Sequence, residues 1–347
     1  MRAAFESFLI RSWSRRGILP ILLWPLSKLF GLILNFRFGL LVLGYRSQTS
    51  LSAPVIVVGN IYVGGTGKTP MVIWLVEQLR RSGWTPGVIS RGYGAQVDQI
   101  IEVKTTSLAT EVGDEPLLIV QRTGCPMMVG RQRVASAQQL LARYPQLDVI
   151  ISDDGLQHYA LARDVEILMF DQRGVGNGWL LPAGPLRESA QRRRDFTILN
   201  SANKEQVSGI GGDVIQMQLR ADALMNLKHP ESRQSLSELQ GKKILAAAGI
   251  GNPQRFFDTL NAHGLEFETM PLADHFAFSA DLFQHVDAEI ILITEKDAVK
   301  CRQIAELCDD PRIWLLPVSA ELDAEFQEQL LKLLKTISEK KHGCTSA

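Results

Sequence analysis

Cysteine is scarce in this chain: Cys125, Cys301, Cys308 and Cys344 are the four in 347 residues. They share no metal-ligand spacing and form no close pair, so neither a zinc module nor a disulfide framework organises the fold. They read as reduced thiols of a cytosolic compartment. Net charge is lacking too, with 37 Lys and Arg against 37 Asp and Glu. No global basic field therefore argues for nucleic acid. Nor is there an uncharged run of about 20 apolar residues, the length of a clean spanning helix. What the chain does have is 46% hydrophobic and 21% charged residues. That is enough for a sizeable core and, at this length, for two domains.

Against this background one stretch stands out, residues 55–69, VIVVGNIYVGGTGKT. A short apolar run leads into a Gly-rich turn, then Lys68 and Thr69, then a helical pattern. Strand, phosphate-cradling loop and helix N-terminus come in the order of a P-loop. Gly64, Gly65 and Gly67 let several backbone N–H groups face one anion. Tyr62, Val63 and Thr66 complete the candidate nucleotide loop. Lys68 brings a point charge to the β- and γ-phosphates, Thr69 offers a hydroxyl to Mg²⁺, and the helix adds its positive dipole end. The pattern departs once: Tyr62 stands five residues before Gly67, where the strict motif has Gly. An ordinary Gly-rich turn is the alternative.

Residues 147–158, LDVIISDDGLQH, carry the second strong signal. A buried strand runs into Asp153 and Asp154, as in the second half of a P-loop site. One carboxylate can hold the metal while the other accepts a proton from an attacking hydroxyl. Gln157 and His158 project from the same loop. The bland alternative is an Asp-Asp-Gly turn without chemistry. In EVGDEPLLIV, Asp114 is a plausible helix N-cap. Asp114 and Glu115 are also adjacent carboxylates suited to a metal or a hydroxyl. Residues 87–94, GVISRGYG, place Arg91 and Tyr93 at a strand's carboxyl end, where α/β ligands gather. Residues 165–171 read as a further parallel strand, and 180–189 as a loop exposing Arg187 and Glu188. Residues 196–200 read as the strand that closes the first sheet.

The ends of the chain differ in character. Residues 1–46 contain a strongly apolar stretch, 18–44, interrupted by Lys28 and Arg37 and broken by Pro20 and Pro25. Arg11, Arg15 and Arg16 precede it, and Trp13 and Trp24 suit a headgroup layer. A cleaved signal peptide and a buried core helix are the alternatives. The favoured reading is a helix pair in a membrane interface. Residues 201–240 read as a linker with room for a two-stranded ribbon. From 241 to 347 a second α/β lobe begins with a strand, a Gly-Ile-Gly-Asn-Pro loop and a helix. That loop is a dinucleotide fingerprint without its third Gly, a weak signal. A terminal amphipathic helix is expected over 326–335. In LADHFAFS, His275 stands beside Asp274, which can tune it; a structural His is the alternative. Thr294-Glu295-Lys296-Asp297 has the letters of a guanine-binding motif at the wrong spacing, which weighs against a GTPase-like switch.

Read together, GGTGKTP, SRGYG, GDEP, DDGLQH, LLPAGPLRE, ADHF and TEKDAVK resemble the tetraacyldisaccharide 4′-kinase family of lipid A biosynthesis. The likeness runs from the hydrophobic N-terminus to about residue 318, nearly the whole chain. It implies a P-loop NTPase-type α/β domain, a parallel sheet with helices on both faces. To this it adds a smaller C-terminal α/β lobe and an N-terminal membrane-associating helical segment. The domains would then be 1–46, 47–200, a linker 201–240, and 241–347. It also implies transfer of the ATP γ-phosphate, with Mg²⁺, to the 4′-hydroxyl of a lipid A disaccharide 1-phosphate, giving lipid IVA. The place would be the cytoplasmic side of the inner membrane, peripheral or monotopic. No nucleic acid or protein partner is implied. Lys68 and Thr69 match the family's phosphate loop, Asp114 and Glu115 its DEP pair, Asp153 and Asp154 its Asp-Asp pair, and His275 its catalytic His. Tyr93, Gln157, His158, Arg187 and Glu188 match positions near sugar and phosphate. Phosphoryl transfer is mostly positioning and charge stabilisation. The expected roles are therefore Lys68 on the γ-phosphate, and Thr69 and Asp153 at the metal with Glu115 assisting. Asp154 is expected as the base, oriented by His275, with Asp114 the next candidate.

Overall fold

The computed structural model describes residues 9, 11–44, 47–92, 99–201, 207 and 209–343. Tyr93 and Cys344 fall outside these described residues.

The first sheet has nine strands: β1 (Val55–Asn60), β2 (Pro86–Ser90), β3 (Ile101–Glu102), β4 (Met127–Val129), β5 (Val149–Asp153), β6 (Val165–Asp171), β7 (Phe196–Asn200), β8 (Val214–Ala221) and β15 (Val318–Leu322). Their order is β15-β8-β7-β6-β1-β5-β2-β4-β3, and the seven strands from β8 to β4 run parallel. Helices cover both faces, so β1 and β5 are buried at every position and read as unbroken apolar runs. The expected helix after the loop forms over Lys68–Arg81, with Val72, Leu75, Val76 and Leu79 all buried.

Strands β9 (Leu224–Asn226), β10 (Arg233–Gln234), β11 (Ile244–Ala248), β12 (Glu268–Pro271), β13 (Ile290–Thr294) and β14 (Ile313–Leu316) build a second sheet, ordered β10-β9-β14-β13-β11-β12. The expected linker, 201–240, is instead shared between the sheets, because β8 pairs with β7 while β9 pairs with β14. Hence β7 does not close the first sheet. The chain returns across Pro317, where β14 of one sheet gives way to β15 of the other. The two crossings are tied together: Asp222 N–H donates to Pro317 O at 3.0 Å.

The terminal helix is longer than its apolar pattern suggests, Ala324–Gly343, and packs on the first domain. Phe326 is 1% exposed, stacked on Trp74 at 5.6 Å and edge-on to Phe196 at 5.1 Å. This contact explains why Trp74, off the expected helix face, is buried.

At the other end the apolar stretch forms one continuous helix, Ile18–Val42, and residues 9, 11 and 12 before it are helical as well. Pro25 lies inside it and removes one backbone bond without ending the helix. Its length and composition are those of a membrane-crossing helix, and Leu22, Leu32 and Phe36 are about two-thirds exposed or more, at 70%, 65% and 68%. One side docks: Ser27 Oγ donates to Leu180 O at 2.8 Å, and Trp24 meets Trp179 at 6.5 Å. Lys28, one of the charges that interrupts the run, lies over the Trp24 ring at 4.9 Å.

Removing the Phe326 ring is expected to cost about 3–5 kcal/mol of stability. Phe326→Ala should therefore unfold at clearly lower denaturant with full loss of ATP binding at the same midpoint, which a joint circular-dichroism and nucleotide-binding titration would measure. ATP binding that outlasts the unfolding of the terminal helix would mean the helix is not part of the nucleotide domain.

Candidate active site

Strand β1 lies between β5 and β6. The carboxyl ends of these three strands form one edge, where the connections diverge and ligands of parallel sheets collect. The Gly-rich loop leaves β1, Asp153 ends β5 with Asp154 next in the turn, and Asp171 ends β6.

The loop turns sharply at Gly64 and Gly67, with φ of +103° and +90°. A side chain at 67 would be strained there and would also meet Asn200 Nδ2 at 2.1 Å. Tyr62 fits without being Gly because its ring turns inward, 3% exposed, beneath the Arg173 guanidinium at 4.4 Å. Arg173 is fixed by Asp171, with Nη2 2.7 Å from Oδ2 and Nε 3.0 Å from Oδ1.

Lys68 Nζ lies 3.5 Å from Asp154 Oδ1 and 3.4 Å from Asn60 Oδ1. Arg187 Nη2 reaches the same Asp154 oxygen at 3.5 Å and Asn60 O at 2.9 Å. Burial alone would raise the Asp154 carboxyl, but Lys68 and Arg187 outweigh it and hold the group below its ordinary range. Asp153 has the opposite environment. It is buried, Oδ2 accepts from Ser90 at 3.0 Å, and Oδ1 has no hydrogen-bond partner. Burial, helped by the negative charges of Glu115 and Asp154, pushes its carboxyl up to about 6. An orphaned carboxylate oxygen at the end of β5 is a place for a cation. With the Thr69 hydroxyl at the start of the helix, the donor set suits Mg²⁺, which takes one or two protein oxygens beside phosphates and water. Among the described residues no cluster of three or more His, Cys, Asp or Glu offers a full protein cage.

Asp114 is not the N-cap of its helix, Asp114–Thr123; Gly113 holds that position. The Asp114 side chain turns instead toward the second lobe. Its Oδ2 is 3.0 Å from His275 Nδ1 and 3.9 Å from both Lys296 Nζ and Lys300 Nζ. Burial opposes ionisation of Asp114, yet the His275 bond and the lysines lower its carboxyl. The same bond raises the His275 imidazole above its ordinary value, against the effect of burial. His275, expected to tune or orient Asp154, has Asp114 as the partner of its Nδ1. Glu115, expected to assist the metal, pairs with Lys296 at 2.8 Å. Both Asp154 and His275 sit at positive φ, +46° and +57°, a conformation costly for non-glycine residues and typical of functional positions.

Gln157 Nε2 donates to Glu188 Oε1 at 2.8 Å, and Glu188 also pairs with Arg192 at 3.0 Å. Glu188 thus braces the loop that carries Arg187. Gln157, His158 and Tyr159 line a cleft of about 490 Å³ with Arg37 and Leu41 of the N-terminal helix. The second lobe meets the phosphate loop at Gly251, where a Cβ would stand 3.5 Å from Gly65 N. The incomplete dinucleotide fingerprint here is part of the protein's own bonding: Gly249 N–H donates to Asp297 Oδ2 at 2.8 Å. The guanine-like letters are likewise engaged, Thr294 capping its helix and Lys296 bridging the lobes.

The sequence reading missed Asn60, Asp171, Arg173, Asn200, Arg255 and Lys296. Asp171 carried a usable signal, since it ends an apolar strand as Asp153 does. Lys296 lay inside the TEKDAVK motif, where its helical setting concealed its reach to Glu115.

A Gly-rich loop, a strand-end carboxylate pair and a lobe-crossing Asp–His pair define a P-loop phosphotransferase. The family model of LpxK, tetraacyldisaccharide-1-P 4′-kinase, matches residues 19–335, and the chain belongs to that family. It is 54% identical to a tetraacyldisaccharide 4′-kinase of Herminiimonas arsenicoxydans, over 96% of this chain and 97% of the relative. With that of Shewanella piezotolerans the identity is 45%, over 97% and 99%. The crystal structure of LpxK from Aquifex aeolicus in complex with ATP superposes with a TM-score of 0.78 at 29% identity, covering 92% of this chain and 99% of that one.

Gly67→Ala is expected to weaken ATP binding about tenfold or more, because a strained φ costs about 1–3 kcal/mol before the Asn200 clash is counted. Equilibrium binding of ATP to the full chain measures this; wild-type affinity would show that the loop is not the nucleotide site.

Proposed function

We propose that the cleft transfers the γ-phosphate of ATP to the 4′-hydroxyl of a tetraacyldisaccharide 1-phosphate, forming the 1,4′-bisphosphate lipid IVA of lipid A biosynthesis. The observation that carries the mechanism is the 3.0 Å bond between Asp114 and His275. A proton acceptor works best with a pKa near the operating pH. Asp154 is poorly suited, because Lys68 and Arg187 hold it ionised and weakly basic. His275 is better suited. Asp114 accepts from Nδ1, fixes the ring and stabilises the imidazolium, and Nε2, which lies 3.8 Å from Asp274 Oδ2, is the atom proposed to take the proton, the division of labour of an Asp–His pair. Lys68 and Arg187, gathered on Asp154 and Asn60 before the nucleotide arrives, are the cations for the transferred phosphoryl group. Thr69 and the orphaned Asp153 oxygen would hold Mg²⁺, which supplies charge neutralisation at the β- and γ-phosphates when bound.

The acceptor's position follows from the N-terminal helix. Its exposed Leu22, Leu32 and Phe36 favour a lipid surface, while Arg37 and Leu41 on the same helix border the Gln157–His158 cleft. A headgroup lodged in that cleft leaves its acyl chains in the bilayer. The apolar helix and the need for ATP both support a site of action on the cytoplasmic side of the inner membrane.

The direct test is transfer of labelled γ-phosphate from ATP to purified tetraacyldisaccharide 1-phosphate in mixed micelles, with and without Mg²⁺. Mg²⁺-dependent label in the lipid is expected; ATP hydrolysis without lipid product would overturn the assignment. For the base, His275→Ala should lower turnover about 10²–10⁴-fold. The neutral imidazole is the active form, so wild-type kcat/KM should rise as pH climbs through a pKa raised above the ordinary His value. Asp114→Asn removes the negative charge from the group bonded to Nδ1, so the acid limb should move to lower pH while the rate falls. An unmoved limb would return the role of base to Asp154. At the helix, Leu22, Leu32 and Phe36 changed together to Ser should reduce partitioning onto anionic vesicles at least tenfold, since burying each side chain is worth about 1.5–3 kcal/mol. Retained vesicle binding would show that another surface meets the lipid.

A further inference from the structure

Four consecutive carbonyls of the nucleotide loop each face a side-chain donor. Arg173 Nη1 approaches Val63 O at 3.5 Å, and Asn60 Nδ2 donates to Gly64 O at 2.9 Å. Arg173 Nη2 donates to Gly65 O at 2.8 Å, and Asn200 Nδ2 to Thr66 O at 3.0 Å. In a trans peptide the C=O and the next N–H point in opposite directions. Holding these carbonyls from outside therefore aims the N–H groups of Gly64, Gly65, Thr66 and Gly67 to the other face of the loop. An anion in the loop needs those four donors already convergent.

One of these contacts depends on the second lobe. Arg255 belongs to the helix Pro253–Ala262, and its Nη2 donates to Asn200 O at 2.8 Å and to Asn200 Oδ1 at 3.0 Å. Asn200 is 2% exposed and ends β7. A side-chain amide can be turned two ways. With Oδ1 facing Arg255, Nδ2 faces Thr66 O and both contacts are favourable. The flipped amide would set donor against donor and acceptor against acceptor, and a buried group has no water to relieve either. Arg255 thus selects the amide orientation that the loop needs.

We propose that Arg255 is a positioning residue for ATP, acting through Asn200 on the Thr66–Gly67 peptide, so that the nucleotide loop is complete only when the C-terminal lobe is docked. The proposal rests on the reading of residues 62–69 as the ATP site. Arg255 lies outside the Gly-rich loop, the carboxylate pairs and the Asp114–His275 bond, and it makes the second lobe a contributor to nucleotide affinity.

The test uses the full chain with ATP and the lipid acceptor in mixed micelles. Arg255→Ala should raise KM for ATP about tenfold or more, with KM for the lipid and the unfolding temperature close to wild type. Arg255→Lys keeps the stem and charge but not the fork geometry, so its KM for ATP should fall between. Asn200→Ala should raise KM for ATP as well, and the double variant should be no worse than Asn200→Ala alone. Additive losses, or a lowered unfolding temperature with unchanged KM for ATP in both Arg255 variants, would overturn the proposal. Lys68→Ala separates the two levels: if it leaves ATP use intact, the nucleotide-site reading itself fails. If it abolishes ATP use while both Arg255 variants behave as wild type, the positioning role alone fails.

Discussion

The hydrogen bond between Asp114 and His275 spans two independently built sheets. Asp114 opens a helix between β3 and β4 of the first sheet, whereas His275 follows β12 at the edge of the second. For their side chains to meet at 3.0 Å, both sheets and the docking between them must be right. The docking is largely ionic. Arg122 pairs with Glu295 at 2.9 Å, Lys296 with Glu115 at 2.8 Å, and Lys300 lies 3.9 Å from Asp114. These groups are mostly buried, so breaking one partner leaves an uncompensated charge, while the intact pairs specify alignment more than they add stability. A cleft aligned in this way keeps Asp114 and His275 in register, and two short crossings near Pro317 and Asp222 join the lobes.

Charge around the phosphate loop follows the same economy of parts. Lys68 and Arg187 would repel each other if left alone; Asp154 and Asn60 hold them together. An arriving phosphate is then met by cations already assembled, so little reorganisation accompanies binding. The arrangement has a structural cost. Asp154 and His275 both occupy positive φ, about 1–3 kcal/mol each by general experience. Each lobe contributes one such residue, Asp154 beside Lys68 and Arg187, His275 bonded to Asp114.

Much of this was legible in the chain itself. The loop, its helix and the β5 carboxylates follow from local order: apolar run, glycines, Lys-Thr, helix. Strands β6 and β7 appear at their expected residues because parallel strands buried on both faces leave uninterrupted apolar runs. The pairing of segments was not legible. β8 alternates like an exposed strand, because it lies near the sheet's edge beside β15, and nothing local says which sheet receives it. The burial of Trp74 depends on a helix 250 residues later in the chain, by roughly that count, and so escapes any periodicity. Asn60, Asn200 and Arg255 were missed for a related reason. Amide and guanidinium groups mark a site through the direction of their bonds, and direction exists only after folding.

The partner of His275 shows how such directional information changes a mechanism. From sequence, Asp154 has the credentials of a base: it ends a strand beside a second carboxylate and follows a P-loop. Its surroundings remove them, since two cations within 3.5 Å favour the ionised form and so weaken it as a proton acceptor. Asp153 is excluded differently: with Oδ2 on Ser90 and Oδ1 buried without a donor, its free oxygen is better matched to a cation than to a sugar hydroxyl. Asp114 is buried and its Oδ2 is bonded to the imidazole, with Lys296 and Lys300 at 3.9 Å. Of these groups, the imidazole alone combines a raised pKa with partial exposure, its side chain 25% accessible beside the loop that bears Gly251. On the proposed assignment three carboxylates therefore set potential and geometry, and the proton acceptor comes from the other lobe. That assignment ties the chemistry to the docking of the two lobes, since His275 and Asp114 meet only across it.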